Sequence, residues 1–115
     1  MQHTNAIKEN YVFRRLYRQG KNAVSPLLAV YCKKNRLGCN RLGLTVSTKV
    51  GNAVTRNLVR RRIKEAYRIH ESQFRVSYDV VIVARVRCAR ASFQEIEASL
   101  LSLTKQLQFL ENGEA

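Results

Sequence analysis

Acidic residues are scarce in this sequence of 115 residues. Eight Asp and Glu stand against 21 Lys and Arg, leaving a formal net charge of +13. Asp79 is the single Asp, and the Glu residues fall on helical segments and the tail without a pair placed for acid–base work. Histidine is limited to His3, near the chain end, and His70, where a basic helix would finish, so neither is placed as a general base. HExxH, GxSxG and a phosphate-cradling Gly-rich loop are all missing. No catalytic residue is expected on the protein. Cys32, Cys39 and Cys88 are odd in number and form no CxxC pair, which argues against a zinc ribbon and against a disulfide framework. No metal site is assigned, and reduced thiols fit a cytoplasmic protein. No apolar run approaches the roughly 18 residues of a membrane span, and MQHTNAIKENY at the start has no hydrophobic signal core. A membrane partner is therefore not expected.

What the chain has in excess is positive charge. So many like charges on one small body repel one another, and a polyanion relieves that repulsion. Fourteen of the basic residues are Arg, whose planar fork grips phosphate oxygens in pairs. Nucleic acid is the first candidate partner. The length fits a single domain, residues 1–115, able to bury roughly two-thirds of its unfolded surface, with the ends at 1–6 and 111–115 expected to be loose. The charge concentrates in KVGNAVTRNLVRRRIKEAYR, residues 49–68, which holds seven basic residues and one acid, Glu65. Gly51-Asn52 marks a turn, and the helix expected after it, from about 52 to 71, is not interrupted by Pro. At about 100° per residue, Arg56, Arg60, Lys64 and Arg68 form one ridge with Asn57 and Arg61 beside it. Val59, Ile63 and Ala66 fall on the other side, where a core would lie.

The rest of the chain builds a frame for that helix. A helical pattern over 7–19 sets Val12, Phe13, Leu16 and Tyr17 against Arg14, Arg15 and Arg18, and Gly20 stands where a left-handed cap is expected. LLAVYC (27–32) reads as a strand after Pro26, the one Pro of the chain. RLGLTVST (41–48) alternates Leu42, Leu44 and Val46 with small polar residues, as a half-buried strand does. A polar loop of about eight residues between them suggests an antiparallel hairpin. YDVVIVAR (78–85) is apolar without alternation, hence covered on both faces and central. Ser92 and Glu95 form a capping box ahead of a stripe of Ile96, Leu100, Leu103, Leu107 and Leu110. The order α-β-β-α-β-α with a mixed sheet of four strands or fewer gives an α+β fold, a two-layer α/β sandwich. Flanking strands do not suit a helix-turn-helix, so DNA is not the expected partner, and folded RNA suits the basic helix better.

GNAVTRN followed by RRRIKEAYR resembles the signature of the bacterial ribonuclease P protein component, and RLGLTVSTKVGNAV resembles the family's strand entering its signature helix. With YDVVIVAR and the aromatic first helix at matching separations, the resemblance covers about residues 7–110. It implies a small basic protein that assists a catalytic RNA in removing the 5′ leader of precursor tRNA. It implies that the RNA holds the active site and its Mg²⁺ ions, and that the partners are ribonuclease P RNA and precursor tRNA. It also implies a left-handed βαβ crossover, as in the second domain of ribosomal protein S5, against the usual right-handed rule. By position, Lys49, Asn52, Arg56, Asn57, Arg60, Arg61 and Lys64 match the family's RNA-binding signature. Arg62 and Arg68 extend the same basic stretch. Phe13, Tyr17 and Tyr31 match the lining of its leader cleft, where unpaired bases stack on rings. Ordinary core packing stays open for Phe13 and Tyr17, since Val12 and Leu16 adjoin them.

One position departs from the family. Leu58 stands where the signature has Arg, and Arg62, one turn on and about 40° away on the wheel, is expected to supply part of the missing contact. A structural or assembly protein of the ribosome is the alternative that shares the charge and fold class.

Overall fold

The most apolar strand of the chain, β5 (Tyr78–Ala84), lies at the centre of a five-stranded sheet in the computed structural model, which describes residues 4–111. Val80, Val81 and Ile82 are fully buried, as a strand with apolar side chains on both faces requires. β5 pairs antiparallel with β3 (Leu28–Lys34) on one side and parallel with β4 (Asn40–Thr45) on the other. β1 (Thr4–Ala6) runs parallel to β4 at one edge, and β2 (Lys21–Val24) runs antiparallel to β3 at the other. The spatial order is β1-β4-β5-β3-β2.

Three helices cover this sheet. α2 (Ala53–His70) crosses from β4 to its parallel neighbour β5, and α3 (Phe93–Gln106) follows β5. Both pack on one face, where Val59, Ile63, Ala66 and Tyr67 of α2 and Ile96, Leu100 and Leu103 of α3 meet Val30, Val80 and Ile82 in the main core. α1 (Asn10–Gln19) lies on the opposite face, where Val12 and Leu16 join Ile7 and Val81 in a smaller cluster. Val81 and Ile82 are consecutive and belong to different clusters, because successive side chains of a strand point to opposite faces. The Ser92–Glu95 capping box is formed: Glu95 N–H donates to Ser92 Oγ at 3.1 Å and Ser92 N–H donates to Glu95 Oε1 at 2.8 Å.

The observed fold differs from the sequence reading in several places. The sheet has five strands, not four or fewer. Two short edge strands account for the difference, and one of them lies in the 1–6 stretch expected to be loose. Thr4 pairs with Asn40 and Ala6 with Leu42, and the Thr4 hydroxyl is 3.1 Å from the Tyr67 hydroxyl of α2. Glu111 is also held, its N–H donating to Gln73 O at 2.7 Å, while residues 112–115 lie outside the described residues. β3 and β4 are not a hairpin, because β5 inserts between them. Their connecting loop passes over the approach to β5, with Asn35 N–H on Ser77 O at 2.8 Å and Gly38 N–H on Ser77 Oγ at 2.9 Å. Central placement is the one that buries both faces of β5, so it outweighs the shorter connection.

Gly20 closes α1 in an extended conformation (φ −74°, ψ 155°), not a left-handed one. Glycine is needed there for space: a Cβ would lie 2.7 Å from Leu16 O and 3.1 Å from Cys32 O. The apolar stripe of α3 also ends early. The chain turns at Gln108 (φ 60°), and Leu110 leaves the helix to bridge with Phe74.

Candidate nucleic-acid interface

The basic helix is started by Asn52, whose side-chain Oδ1 accepts the Thr55 N–H at 2.9 Å. An Asn cap satisfies one of the donors left open in the first turn. No acid occupies that turn, so the N-terminal end stays electropositive. Lys49 is exposed in the short 3-10 turn Thr48–Val50 just before it. Arg61, Lys64, Arg68 and Asn57 are exposed on the outward side, while Arg56 and Arg60 are half-buried along the flank. Arg60 donates to Asn57 Oδ1 at 3.3 Å. Arg68 makes a bidentate pair with Glu65, at 2.9 and 2.6 Å, which raises its own pKa and lowers that of Glu65. Both partners are open to water, so an incoming phosphate competes for this Arg at small cost.

Arg62 does not join that edge. Its Nη1 donates to the Ala91 carbonyl at 2.8 Å, tying α2 to the turn between β5 and α3. Leu58 is half-buried nearby on the wheel. Arg62 is therefore held by an internal bond, which places it as a strut. Arg62 also counters, in part, the burial that pushes the Cys88 thiol up to about 11.

The second group of site residues lies on the other face of the sheet. Val12 and Leu16 carry the packing of α1, at 0% and 1% exposure, which leaves Phe13 half-buried and Tyr17 41% exposed. Gly43 of β4 lies under the Phe13 ring: a Cβ there would stand 2.6 Å from two ring atoms. The Tyr17 hydroxyl is 2.8 Å from Thr45 Oγ1, and its ring meets Tyr31 edge-on with centroids 5.0 Å apart. Tyr31 pairs in register with Val81 across β3 and β5. Phe13, Tyr17 and Tyr31 thus form one aromatic wall over a floor of Gly43, Thr45 and Val81. Half-exposed rings of this kind offer faces to unpaired bases. The structure brings all three together, and Phe13 and Tyr31 also pack against the small cluster of Ile7, Val12, Leu16 and Val81.

The two groups are joined through the backbone. β4 leaves the aromatic wall at Thr45 and enters the Lys49 turn and the Asn52 cap within a few residues. Beyond Val83 the surface opens into a cleft of about 750 Å³ lined by Val24, Lys49, Arg85 and Arg87. Asp79, the single Asp, is taken up elsewhere: Arg41 Nε and Nη2 each donate to it at 2.8 Å, as does Asn35 Nδ2. Among the described residues no group of three His, Cys, Asp or Glu gathers to hold a metal, and no helix is long and apolar enough to cross a membrane.

Residues 1–108 match the family model described as Ribonuclease P. The chain belongs to the ribonuclease P protein family. A relative from Alkaliphilus metalliredigens, the ribonuclease P protein component, is 41% identical over 110 residues, covering 96% of this chain and 99% of that one. The same component from Clostridium botulinum strain Loch Maree is 44% identical over 103 residues, covering 89% and 93%. Among solved structures, the Staphylococcus aureus RNase P protein superposes with a TM-score of 0.85 at 32% identity, covering 92% of this chain and 97% of that chain. The fold and the family therefore agree.

Against the family signature, two features of this chain are not apparent from its sequence. One is the outward extension of the cleft to Arg85 and Arg87. An Arg-x-Arg directly after a buried strand was the available signal, since side chains at a strand end reach the sheet rim. The other is the strut made by Arg62, for which the wheel angle alone holds no signal.

Proposed function

We propose that this chain acts as the protein subunit of ribonuclease P, binding the catalytic RNA along α2 and holding the 5′ leader of precursor tRNA against the aromatic wall. What supports this reading is one juxtaposition. The Phe13–Tyr17–Tyr31 wall ends at Thr45, and the same strand runs directly into Lys49, Asn52 and the basic helix. A single strand lying on the wall therefore leads toward the RNA gripped by Arg56, Asn57, Arg60, Arg61 and Lys64. The protein contributes electrostatic grip and stacking, both suited to positioning. Bond cleavage belongs to the RNA with its Mg²⁺ ions, and the partnership works in the cytoplasm on RNA, not DNA.

Reconstitution tests this. Protein plus ribonuclease P RNA should cleave precursor tRNA at low Mg²⁺, where RNA alone is slow. RNA-free protein should give no leader-specific turnover at any Mg²⁺ concentration, and turnover by it would place the active site on this chain. A pull-down that returned ribosomal RNA or duplex DNA in place of one abundant structured RNA would sink the reading.

A further inference from the structure

A third cationic surface lies away from both parts of the interface. Lys21 at the start of β2, Lys33 and Lys34 at the end of β3, and Arg75 ahead of β5 line a cleft of about 560 Å³ together with Tyr78 and Gln108. Among the described residues no Asp or Glu lines it. Lys21 pairs in register with Cys32, and Lys34 alternates with Cys32 and Val30, so both project on the α2–α3 side of the sheet. The aromatic wall is on the other side. The cleft also sits where β5 begins, whereas Lys49 and Asn52 sit where β4 ends. Parallel strands of this length separate the two ends by roughly 20 Å. The cleft is therefore set apart from the wall and from the start of α2.

The rim is built, not merely crowded. Arg75 Nε donates to Gln108 O at 2.8 Å, and Arg75 N–H donates to Phe109 O at 2.8 Å. That holds the guanidinium stem on the end of α3. The carbonyl it uses belongs to a residue at φ 60°, a conformation that non-glycine side chains rarely adopt. Beneath the rim, Phe74 stacks on Phe109 with centroids 4.7 Å apart, and the half-buried Tyr78 ring meets Phe109 at a tilt with centroids 5.3 Å apart. Four cations around one concave surface repel one another unless an anion fills it. Clustered cations on a concave surface are the chemistry of phosphate-backbone binding, and a neighbouring ring can stack on a base.

We infer that the Lys21–Lys34–Arg75 cleft is a second RNA-backbone site, taking a stretch of sugar-phosphate other than the one on α2. It rests on the reading of the chain as an RNA-binding subunit. The cleft shares the α2–α3 face with α2 but lies at the end of the sheet away from Lys49 and Asn52, so the protein bridges two segments of its RNA and restrains their separation.

The test compares two variants of equal charge loss in binding to labelled, in vitro transcribed ribonuclease P RNA over a salt series. One is Lys21→Gln with Lys34→Gln, the other Lys8→Gln with Lys105→Gln, all four positions being exposed. The cleft variant should lower the salt slope by about 1.5–2 and the affinity roughly tenfold at physiological salt. The control should change affinity by less than about twofold, and Lys21→Arg with Lys34→Arg should restore the wild-type slope. Equal slopes for the cleft variant and the control overturn the second site while leaving α2 binding intact. Failure of the wild-type protein to bind this RNA overturns both the site and the functional reading.

Discussion

The two faces of the sheet use the same three strands to opposite ends. On the α2–α3 face Leu28, Val30 and Cys32 of β3 and Val80, Ile82 and Ala84 of β5 are sealed in one continuous core. On the α1 face, among the described residues, Ile7, Val12, Leu16 and Val81 are buried together, and Phe13, Tyr31 and Val83 stay partly open. A helix of ten residues covers the middle of that face and no more. Alternation along β4 makes the division visible in six residues. Leu42 and Leu44 face the core, while Gly43 and Thr45 form the floor of the aromatic wall. Stability is concentrated on one face, and the other is free to meet a ligand.

That contrast ranks the effects of substitution on stability. Ile82→Ala on the closed face should lower unfolding free energy by about 3–4 kcal/mol, because its side chain is fully buried and the site has little room to collapse. Chemical denaturation measures it, and a loss below 1 kcal/mol would contradict a sealed core. Arg62→Ala should cost about 1–2 kcal/mol by removing a charged donor from the Ala91 carbonyl. RNA affinity should then change less than it does for Arg60→Ala, for which we expect a loss of about 1 kcal/mol in RNA binding with little change in stability. If the two variants traded these outcomes, Arg62 would be an RNA ligand and not a strut.

A third prediction concerns pH. Burial pushes the thiols of Cys32 and Cys88, both on the closed face, from their ordinary value of 9.0 up to about 11. A raised pKa means the folded state keeps protons that the unfolded state releases. The stabilisation is complete below about pH 9 and is lost as pH rises toward 11. Denaturation midpoints should fall over that window. Cys39, half-buried in the β3–β4 loop, should react with a thiol reagent in the native protein while the other two wait for unfolding. The smallest effect on stability, under about 0.5 kcal/mol, is expected for Tyr17→Ala on the open face.

Much of this was legible in the sequence, for reasons that differ by element. The apolar run Val80–Ala84 announced a strand covered on both faces, and it is the central one. The period of α2 separated Val59, Ile63 and Ala66 from the exposed cations, and the Ser92–Glu95 box located the start of α3. Partner strands were not legible, because alternation in β3 and β4 says which face each side chain takes and nothing about which strand lies beside it. β1 escaped because three residues carry no period. Its pairing comes from β4 and from Tyr67. For Phe13 and Tyr17 the sequence left core and ligand roles open; in the fold Val12 and Leu16 are buried, Phe13 packs half-buried against them, and Tyr17 is exposed.

The central claim is that the open face reads the leader. Affinity of the ribonuclease P holoenzyme for precursor tRNA and for mature tRNA, each measured with wild type and with Tyr17→Ala, tests it most directly. The account predicts that Tyr17→Ala weakens binding of leader-bearing substrate by about 1–3 kcal/mol, the scale of one lost base stack, with mature tRNA unchanged. Equal losses for both substrates would contradict it.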